Sequence, residues 1–262
     1  MSAEPLFEAY DLVKHFRMRR TVVKAVDGVS FTVPRGRTVG LVGESGSGKS
    51  TVARLALRLL DPTSGRMTFD GVDLLRVSRR EMRALRRRMQ IVFQDPFGSL
   101  NPRMRVVEAV GEPLAVHRIA RGKERTDRVV ELLERVGLGA RDLHKYAHQF
   151  SGGQAQRIGI ARALATDPDL IVCDEAVSAL DVSVQAQVLN LLKRLQAELG
   201  LSYLFIAHDL NVVRYMADEV CVMHRGEIVE RGDGDTLFAE PQHAYTKTLV
   251  GAVRHLPARE AS

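Results

Sequence analysis

Short apolar runs recur along the chain, and stretches with helical spacing separate them. Thr38-Val39-Gly40-Leu41-Val42 is one such run and stops at Gly43. Leu170-Ile171-Val172-Cys173 and Tyr203-Leu204-Phe205-Ile206-Ala207 are two more. Continuous apolar strands of this kind belong in a parallel sheet covered on both faces. Helices are expected over residues 51–60, ended by the turn Asp61-Pro62-Thr63-Ser64-Gly65, and from Val184 to about Glu198.

A second pattern flanks this alternation. Residues 7–16 and 22–33 read as two strands joined by a basic turn, and residues 66–69 as a strand followed by the hairpin signal Asp70-Gly71. Ile91-Val92-Phe93 is another strand. From Asp95 to about Ala165 the character changes: helical patterns such as residues 124–136 dominate, with almost no strand-like run. That block reads as a helical insertion. Val220-Cys221-Val222-Met223, the turn His224-Arg225-Gly226-Glu227 and Ile228-Val229-Glu230 read as a hairpin. The tail from Pro241 holds one short helix around residues 246–253. No repeat and no low-complexity segment stands out.

Composition narrows the class. The chain has 262 residues, 45% hydrophobic and 27% charged, which suffices for a sizeable core. No run of about twenty apolar residues is present, so no membrane span is expected. Met1-Ser2-Ala3-Glu4-Pro5 has neither a basic patch nor an apolar run, so no secretory signal is expected. Cys173 and Cys221 lie inside apolar runs and read as small buried hydrophobes of a reducing compartment. The net charge is +6 and the isoelectric point about 9.6. Arg17-Met18-Arg19-Arg20 and the arginines from Arg79 to Arg88 could meet nucleic acid or anionic lipid, or form a solvated helix face and a loop. With 5% aromatic residues and no Trp, no base-stacking platform is evident.

The sharpest chemical signal is Gly43-Glu44-Ser45-Gly46-Ser47-Gly48-Lys49-Ser50, which fits G-x-x-x-x-G-K-[ST]. Glycines let backbone N–H groups curl round anionic oxygens, and the helix that follows points its positive end at the same place. Lys49 supplies a charge for the β- and γ-phosphates, and the Ser50 hydroxyl suits Mg²⁺. The loop sits between an apolar strand and a helix, which is the context the pattern requires.

Two further features gain meaning beside that loop. The run Leu170-Ile171-Val172-Cys173-Asp174-Glu175 is an apolar strand ending in two carboxylates. A strand tip of this type places one acid near the metal of a phosphate loop, here Asp174, and Glu175 can serve as base for the attacking water. Ser151-Gly152-Gly153-Gln154 opens a helical run over residues 155–164. It is a second helix N-terminus able to hold a γ-phosphate, or an ordinary Ser cap.

With these motifs in this order, the sequence resembles the ATP-binding subunits of ABC transporters over essentially its whole length. Gly43 to Ser50 matches the Walker A loop, and Gln94 in Phe93-Gln94-Asp95-Pro96 the Q-loop. Ser151 to Gln154 matches the signature motif, with Phe150 where Leu is usual. Leu170 to Glu175 matches Walker B and the catalytic glutamate. Ser178-Ala179-Leu180-Asp181 matches the D-loop, and His208 in Ile206-Ala207-His208-Asp209 the switch histidine.

The resemblance implies one α/β domain over residues 1–262. It would have a P-loop NTPase, RecA-like core, an N-terminal antiparallel β subdomain, an inserted α-helical subdomain at about 95–165 and a tail from about 241. It implies ATP and Mg²⁺ as ligands and two ATPase domains stacked head to tail. ATP would lie between the Walker A loop of one chain, with Thr51, and the Ser151, Gly152, Gly153 and Gln154 turn of the other. Asp174, Ser50 and Gln94 would serve the metal, and Gln94 would report to the membrane subunit. Glu175, His208, Gln94 and Lys49 would carry the hydrolysis, and Asp181 would cross the interface. Adenine would stack on an aromatic of an early strand, Phe16 first and Tyr10 second.

Gly98-Ser99-Leu100-Asn101-Pro102-Arg103, Asp181-Val182-Ser183-Val184-Gln185-Ala186-Gln187 and His243-Ala244-Tyr245-Thr246 look like the dipeptide, oligopeptide and nickel importer branch. That branch implies a second ATPase subunit, paralogous or identical, two transmembrane permease subunits and an extracytoplasmic binding protein. The expected place is the cytoplasmic face of the cell membrane, with no nucleic-acid partner. Ala155 follows Ser-Gly-Gly-Gln where Arg is common, and Ala176 follows Glu175 where Pro is usual; neither removes a catalytic group. The sequence shows no cysteine-containing extension of the kind many members of the branch carry. Readings of other kinds are an importer ATPase for nickel or another small solute, a soluble ABC ATPase acting on nucleic acid, and a regulatory subunit that does not hydrolyse. The nucleic-acid type usually carries two ATPase domains or a long coiled-coil insertion, neither of which is seen here, and Glu175 and His208 argue against the regulatory type.

Overall fold

The computed structural model describes residues 4–18 and 21–254. Residues 1–3, Arg19 and Arg20 of the first basic run, and residues 255–262 lie outside the described residues. The chain divides into two compact units, Met1–Arg76 with Leu204–Ser262, and Val77–Tyr203.

The first unit opens with β1 (Pro5–Met18) and β2 (Thr21–Pro34), antiparallel, with Phe7 opposite Val33 and Phe16 opposite Val23. β3 (Thr38–Val42) is buried along its whole length. It leads into α1 (Lys49–Ala56). β4 (Ser64–Phe69) and β5 (Val72–Asp73) complete a sheet ordered β2-β1-β4-β5. Asp70 and Gly71 between them both take positive φ, 53° and 74°, the geometry that matches strand twist in a two-residue hairpin. The helix expected to run to residue 60 stops at Ala56. Arg58 adopts φ 47° and its guanidinium donates to the Leu74 carbonyl at 2.7 Å, while the Leu59 and Leu60 N–H groups both return to the Arg54 carbonyl. These bonds wrap the chain into a turn before the apolar spacing has run out.

The second unit begins with α2 (Arg79–Arg88), which turns only Met82 inward and leaves Arg79, Arg80, Arg83 and Arg87 exposed. Its start is fixed by a capping box, in which Ser78 Oγ accepts the Glu81 N–H and Glu81 accepts the Ser78 N–H. β6 (Met89–Val92) follows and ends before Phe93, which is partly exposed. Then come α3 (Pro96–Ser99), α4 (Val106–Val116), α5 (Gly122–Arg135) and α6 (Gly152–Leu164). α4, α5 and α6 pack on one another around buried Val110, Leu114, Val129, Leu133 and Ile158. The expected helical block is thus helical, and its one β feature among the described residues is an isolated bridge from Arg105 to Tyr146. β7 (Leu170–Asp174) runs parallel to β6, with Met89 opposite Leu170 and Val92 opposite Cys173. α7 (Val182–Leu199) closes the unit.

β8 (Ser202–Ala207) is buried throughout and carries the chain back to the first unit. α8 (Leu210–Met216) follows, a short helix that the sequence pattern had not indicated. β9 (Glu219–His224) pairs parallel with β3, Leu41 opposite Cys221, and antiparallel with β10 (Glu227–Asp233). Arg225 and Gly226 form the hairpin turn with φ 48° and 91°. α9 (Gly234–Ala239) and α10 (Ala244–Arg254) end the described chain. Both cysteines are buried in strands as expected; burial raises both thiols, Cys221 to about 12.

Candidate functional site

In the first unit, the segment joining β3 to α1 folds as a closed loop. The Ser47 N–H donates to the Glu44 carbonyl at 3.2 Å. Gly48 caps α1 with φ 109°, a conformation that favours glycine, and a Cβ there would lie 2.0 Å from the Ala25 carbonyl oxygen of β2. Gly48 brings no side chain to cap the helix, and its own carbonyl takes the Thr51 and Val52 N–H groups at 2.9 and 3.0 Å. A helix start built without a side-chain cap suits an anionic oxygen.

Lys49 is buried at 4% exposure, yet its charge is well served. Its Nζ donates to the carbonyls of Gly43 and Glu44, each at 2.7 Å, and to Ser47 Oγ at 3.4 Å. The ammonium is therefore fixed over the loop rather than swinging in solvent. The loop is held from outside as well. The Gly226 N–H of the β9–β10 turn donates to the Ser47 carbonyl at 3.0 Å, and the Asp27 N–H of β2 donates to the Gly226 carbonyl at 2.8 Å.

The two aromatic candidates for adenine differ in position. Phe16 pairs with Val23, two residues before the Ala25 carbonyl that abuts Gly48, so its register places it beside the loop. Lys14 Nζ lies 5.4 Å from its ring centre. Tyr10 is opposite Arg66 on β4, whose guanidinium covers its ring at 4.9 Å. His208 follows β8 and is exposed, and the next residue, Asp209, caps α8 by accepting the Asn211 N–H at 2.8 Å.

The second unit gathers the other candidates. Parallel pairing of Val92 with Cys173 brings the carboxyl ends of β6 and β7 to one edge, so Gln94 and the pair Asp174–Glu175 leave the sheet on the same side. That edge is where ligands bind in open α/β sheets. Asp174 is nearly buried at 8% exposure. Glu175 adopts φ 51°, a left-handed conformation that costs a non-glycine residue about 1–2 kcal/mol. Its carbonyl is held by the Ser178 N–H at 3.1 Å and Ser178 Oγ at 3.0 Å. Ala176, where Pro is usual in the resembling family, is buried at this turn.

Ser151 heads α6 in a capping box: its Oγ accepts the Gln154 N–H at 3.3 Å, and Gln154 Oε1 accepts the Ser151 N–H at 3.0 Å. Ala155, where Arg is common, is fully buried. A Cβ at Gly153 would lie 2.2 Å from Val184 Cγ1, so glycine is what lets α6 approach the first turn of α7. Asp181 caps that turn, accepting from the Val184 N–H at 3.0 Å and Ser183 Oγ at 2.8 Å. Those two bonds, the Val184 amide first, hold its carboxyl below the usual carboxylate range.

Two participants escape the motif reading. Gln156, in the second turn of α6, donates from Nε2 to the Phe93 carbonyl at 3.1 Å and so ties the Ser151 helix to the segment of Gln94. Tyr245 of α10 accepts the Glu44 N–H of the phosphate loop at 3.0 Å. The sequence marks them only by place, Gln156 in the helical run 155–164 and Tyr245 in His243-Ala244-Tyr245-Thr246.

Among the described residues no cluster of three or more His, Cys, Asp or Glu could cage a metal. Mg²⁺ brought with a nucleotide needs no such cage, since one carboxylate, a hydroxyl, phosphate oxygens and water suffice. In the first unit, the start of α1 without a side-chain cap and the held Lys49 ammonium suit the phosphates of such a nucleotide.

The chain is similar to known proteins. The ABC transporter family profile matches residues 26–178. A putative peptide import ATP-binding protein of Brucella ovis is 53% identical over 253 residues, spanning 97% of this chain and 80% of that protein. The oligopeptide transport ATP-binding protein OppF of Bacillus subtilis is 52% identical, spanning 95% and 83%, and the dipeptide transport ATP-binding protein DppF of Escherichia coli is 48% identical, spanning 97% and 78%. Among solved structures, the dimeric post-hydrolysis state of the ATP-binding cassette MJ0796 bound to ADP and Pi matches with a TM-score of 0.78 at 30% identity, over 87% of this chain and 98% of that one. CbiO1 of Clostridium perfringens, part of the ABC transporter complex cbiONQ, matches with a TM-score of 0.79 at 29% identity, over 97% and 96%. The chain with the clamped Gly43–Ser50 loop, the Asp174–Glu175 strand tip and the Ser151 helix cap belongs to the ABC transporter family, with the P-loop NTPase fold of its ATP-binding cassettes.

Proposed function

We propose that this chain is the ATP-hydrolysing subunit of a peptide importer, working as one of a pair of cassettes. The observation that carries the reading is the Gly43–Ser50 loop with its buried, triply held Lys49, in a chain about half identical to peptide-import ATPases over almost its full length. Among the described residues no helix is long and apolar enough to cross a membrane, which suits a subunit that docks on permease subunits at the cytoplasmic face.

Each residue has a role in this reading. The loop residues Gly43, Glu44, Ser45, Gly46, Ser47 and Gly48, with Thr51, cradle the phosphates, and Lys49 neutralises the β- and γ-oxygens. Ser50, Asp174 and Gln94 would hold Mg²⁺, which would spread the charge of the transferring phosphoryl group. Glu175 accepts a proton as water oxygen attacks the γ-phosphorus; the bond to the β-phosphate oxygen breaks, leaving ADP and phosphate. His208 orients the γ-phosphate. Ser151, Gly152, Gly153, Gln154 and Asp181 serve the nucleotide of a partner chain, and Phe16 stacks on adenine. The partners are a second ATPase subunit, two permease subunits and an extracytoplasmic binding protein.

The test is Glu175→Gln. It keeps the shape and ATP affinity but removes the proton acceptor, and phosphate release slows by about 10²–10⁴-fold. Near-normal hydrolysis in that variant removes Glu175 from its role. Salt-sensitive binding to DNA or RNA without a co-purifying membrane partner counts against the importer reading.

A further inference from the structure

The Gly43–Glu44 peptide is held at both ends. Its carbonyl, on Gly43, accepts from Lys49 Nζ at 2.7 Å, and its N–H, on Glu44, donates to Tyr245 Oη at 3.0 Å. A peptide group is planar and rigid, so fixing the N–H fixes the direction of the carbonyl. That carbonyl is one of the oxygens that place the Lys49 ammonium. The hydroxyl of a residue 201 positions away thus bears on where the lysine charge sits.

Tyr245 is itself firmly seated. Its ring lies against the His224 imidazole at the end of β9, with 3.9 Å between centres. Its N–H donates to His243 Nδ1 at 3.2 Å. The chain just before it is anchored by Glu230 of β10, whose two carboxylate oxygens accept the Gln242 and His243 N–H groups at 2.8 and 2.9 Å. Thr246 and Val250 are buried, so the inner face of α10 packs on the unit. Burial raises the Tyr245 hydroxyl above its ordinary range, which keeps it protonated at neutral pH.

We propose that Tyr245 is a positioning residue for nucleotide binding: α10 holds the Gly43–Glu44 peptide plane, and through it the Lys49 ammonium and the opening of the phosphate loop. The proposal rests on the reading of that loop as the ATP site.

Tyr245→Phe in the full chain tests it, because only Oη is lost and the ring can stay against His224. Loss of one such bond raises the Kd of a fluorescent ATP analogue, and the KM for ATP, by about 3–10-fold, while kcat at saturating ATP stays within about twofold. An unchanged Kd and KM overturns the proposal, and so does a lowered melting temperature with unchanged Kd, which makes the contact purely structural. Lys49→Ala separates the two levels. If it abolishes analogue binding while Tyr245→Phe leaves binding intact, only the role of Tyr245 fails. If Lys49→Ala also leaves binding intact, the reading of the loop fails.

Discussion

The Gln156 side-chain amide donates to the main-chain carbonyl of Phe93 over 3.1 Å, joining the helix headed by Ser151 to the residue just before Gln94. Gln156 is 1% exposed while Phe93 is partly exposed, so the bond is part-buried, and it ties the segment leaving β6 to α6. The bond couples the position of the Ser151 helix to that of the residue before Gln94.

Gln156→Leu leaves the Phe93 carbonyl without that donor, at a cost of about 1–3 kcal/mol. The melting temperature falls by about 2–10 °C. Gln156→Glu is expected to be worse than Leu, because it buries a carboxylate oxygen against a carbonyl oxygen. ATP turnover drops more than ATP affinity in both variants. Thermal melts with steady-state ATPase assays check this, and a Leu variant as stable and active as the parent removes Gln156 from the coupling.

The motifs read as phosphate chemistry were legible because their requirements are local. Gly48 and Lys49 must be neighbours for a loop to turn into a helix under a phosphate, and Asp174 must end an apolar strand. The contacts that set these groups in place were not legible, because they join distant parts of the chain. Nothing near Glu44 points to Tyr245, and nothing near Phe93 points to Gln156. The extent of α1 was misread for a related reason: Leu57, Leu59 and Leu60 continue the helical spacing, but Arg58 in a left-handed conformation ends the helix. α2 was legible only as a basic run, a surface for nucleic acid or anionic lipid or a solvated face, since just Met82 turns inward and its Ser78–Glu81 capping box lies among charged residues.

Asp142 supplies a pH signature. Its side chain is 5% exposed, and it accepts from Lys145 Nζ at 2.7 Å and the Gly139 N–H at 3.2 Å. Burial works against its charge, but the Lys145 ammonium and the Gly139 amide outweigh it, so the carboxyl titrates below its ordinary value. A depressed carboxyl stabilises the fold above its unfolded value of about 3.9, and that stabilisation is lost as pH falls through the folded value. Asp142→Asn is therefore less stable than the parent at pH 7 by about 1 kcal/mol, a figure kept small by the half-exposed lysine. The gap shrinks as the pH drops below about 4. Urea unfolding of both proteins across that range measures it, and a gap that does not change with pH contradicts the assignment.

Gly153 separates packing from chemistry at the Ser151 turn. A Cβ there would fall 2.2 Å from Val184 Cγ1, and the branched valine cannot swing aside without shifting its own helix. Gly153→Ala therefore pushes α6 from the start of α7 and costs about 1–3 kcal/mol. Val184→Ala removes the obstructing methyl groups, so the double variant recovers most of the lost stability, a non-additivity expected of residues in contact. Hydrolysis gives the sharper answer. If Gly153 must bring its backbone close to a partner chain's γ-phosphate, the added methyl obstructs that approach whether or not Val184 has been trimmed. The double variant then melts near the parent temperature, binds ATP normally and still hydrolyses slowly in the assembled pair. Hydrolysis that returns together with stability makes Gly153 a spacer between two helices and leaves phosphate contact to Ser151 alone.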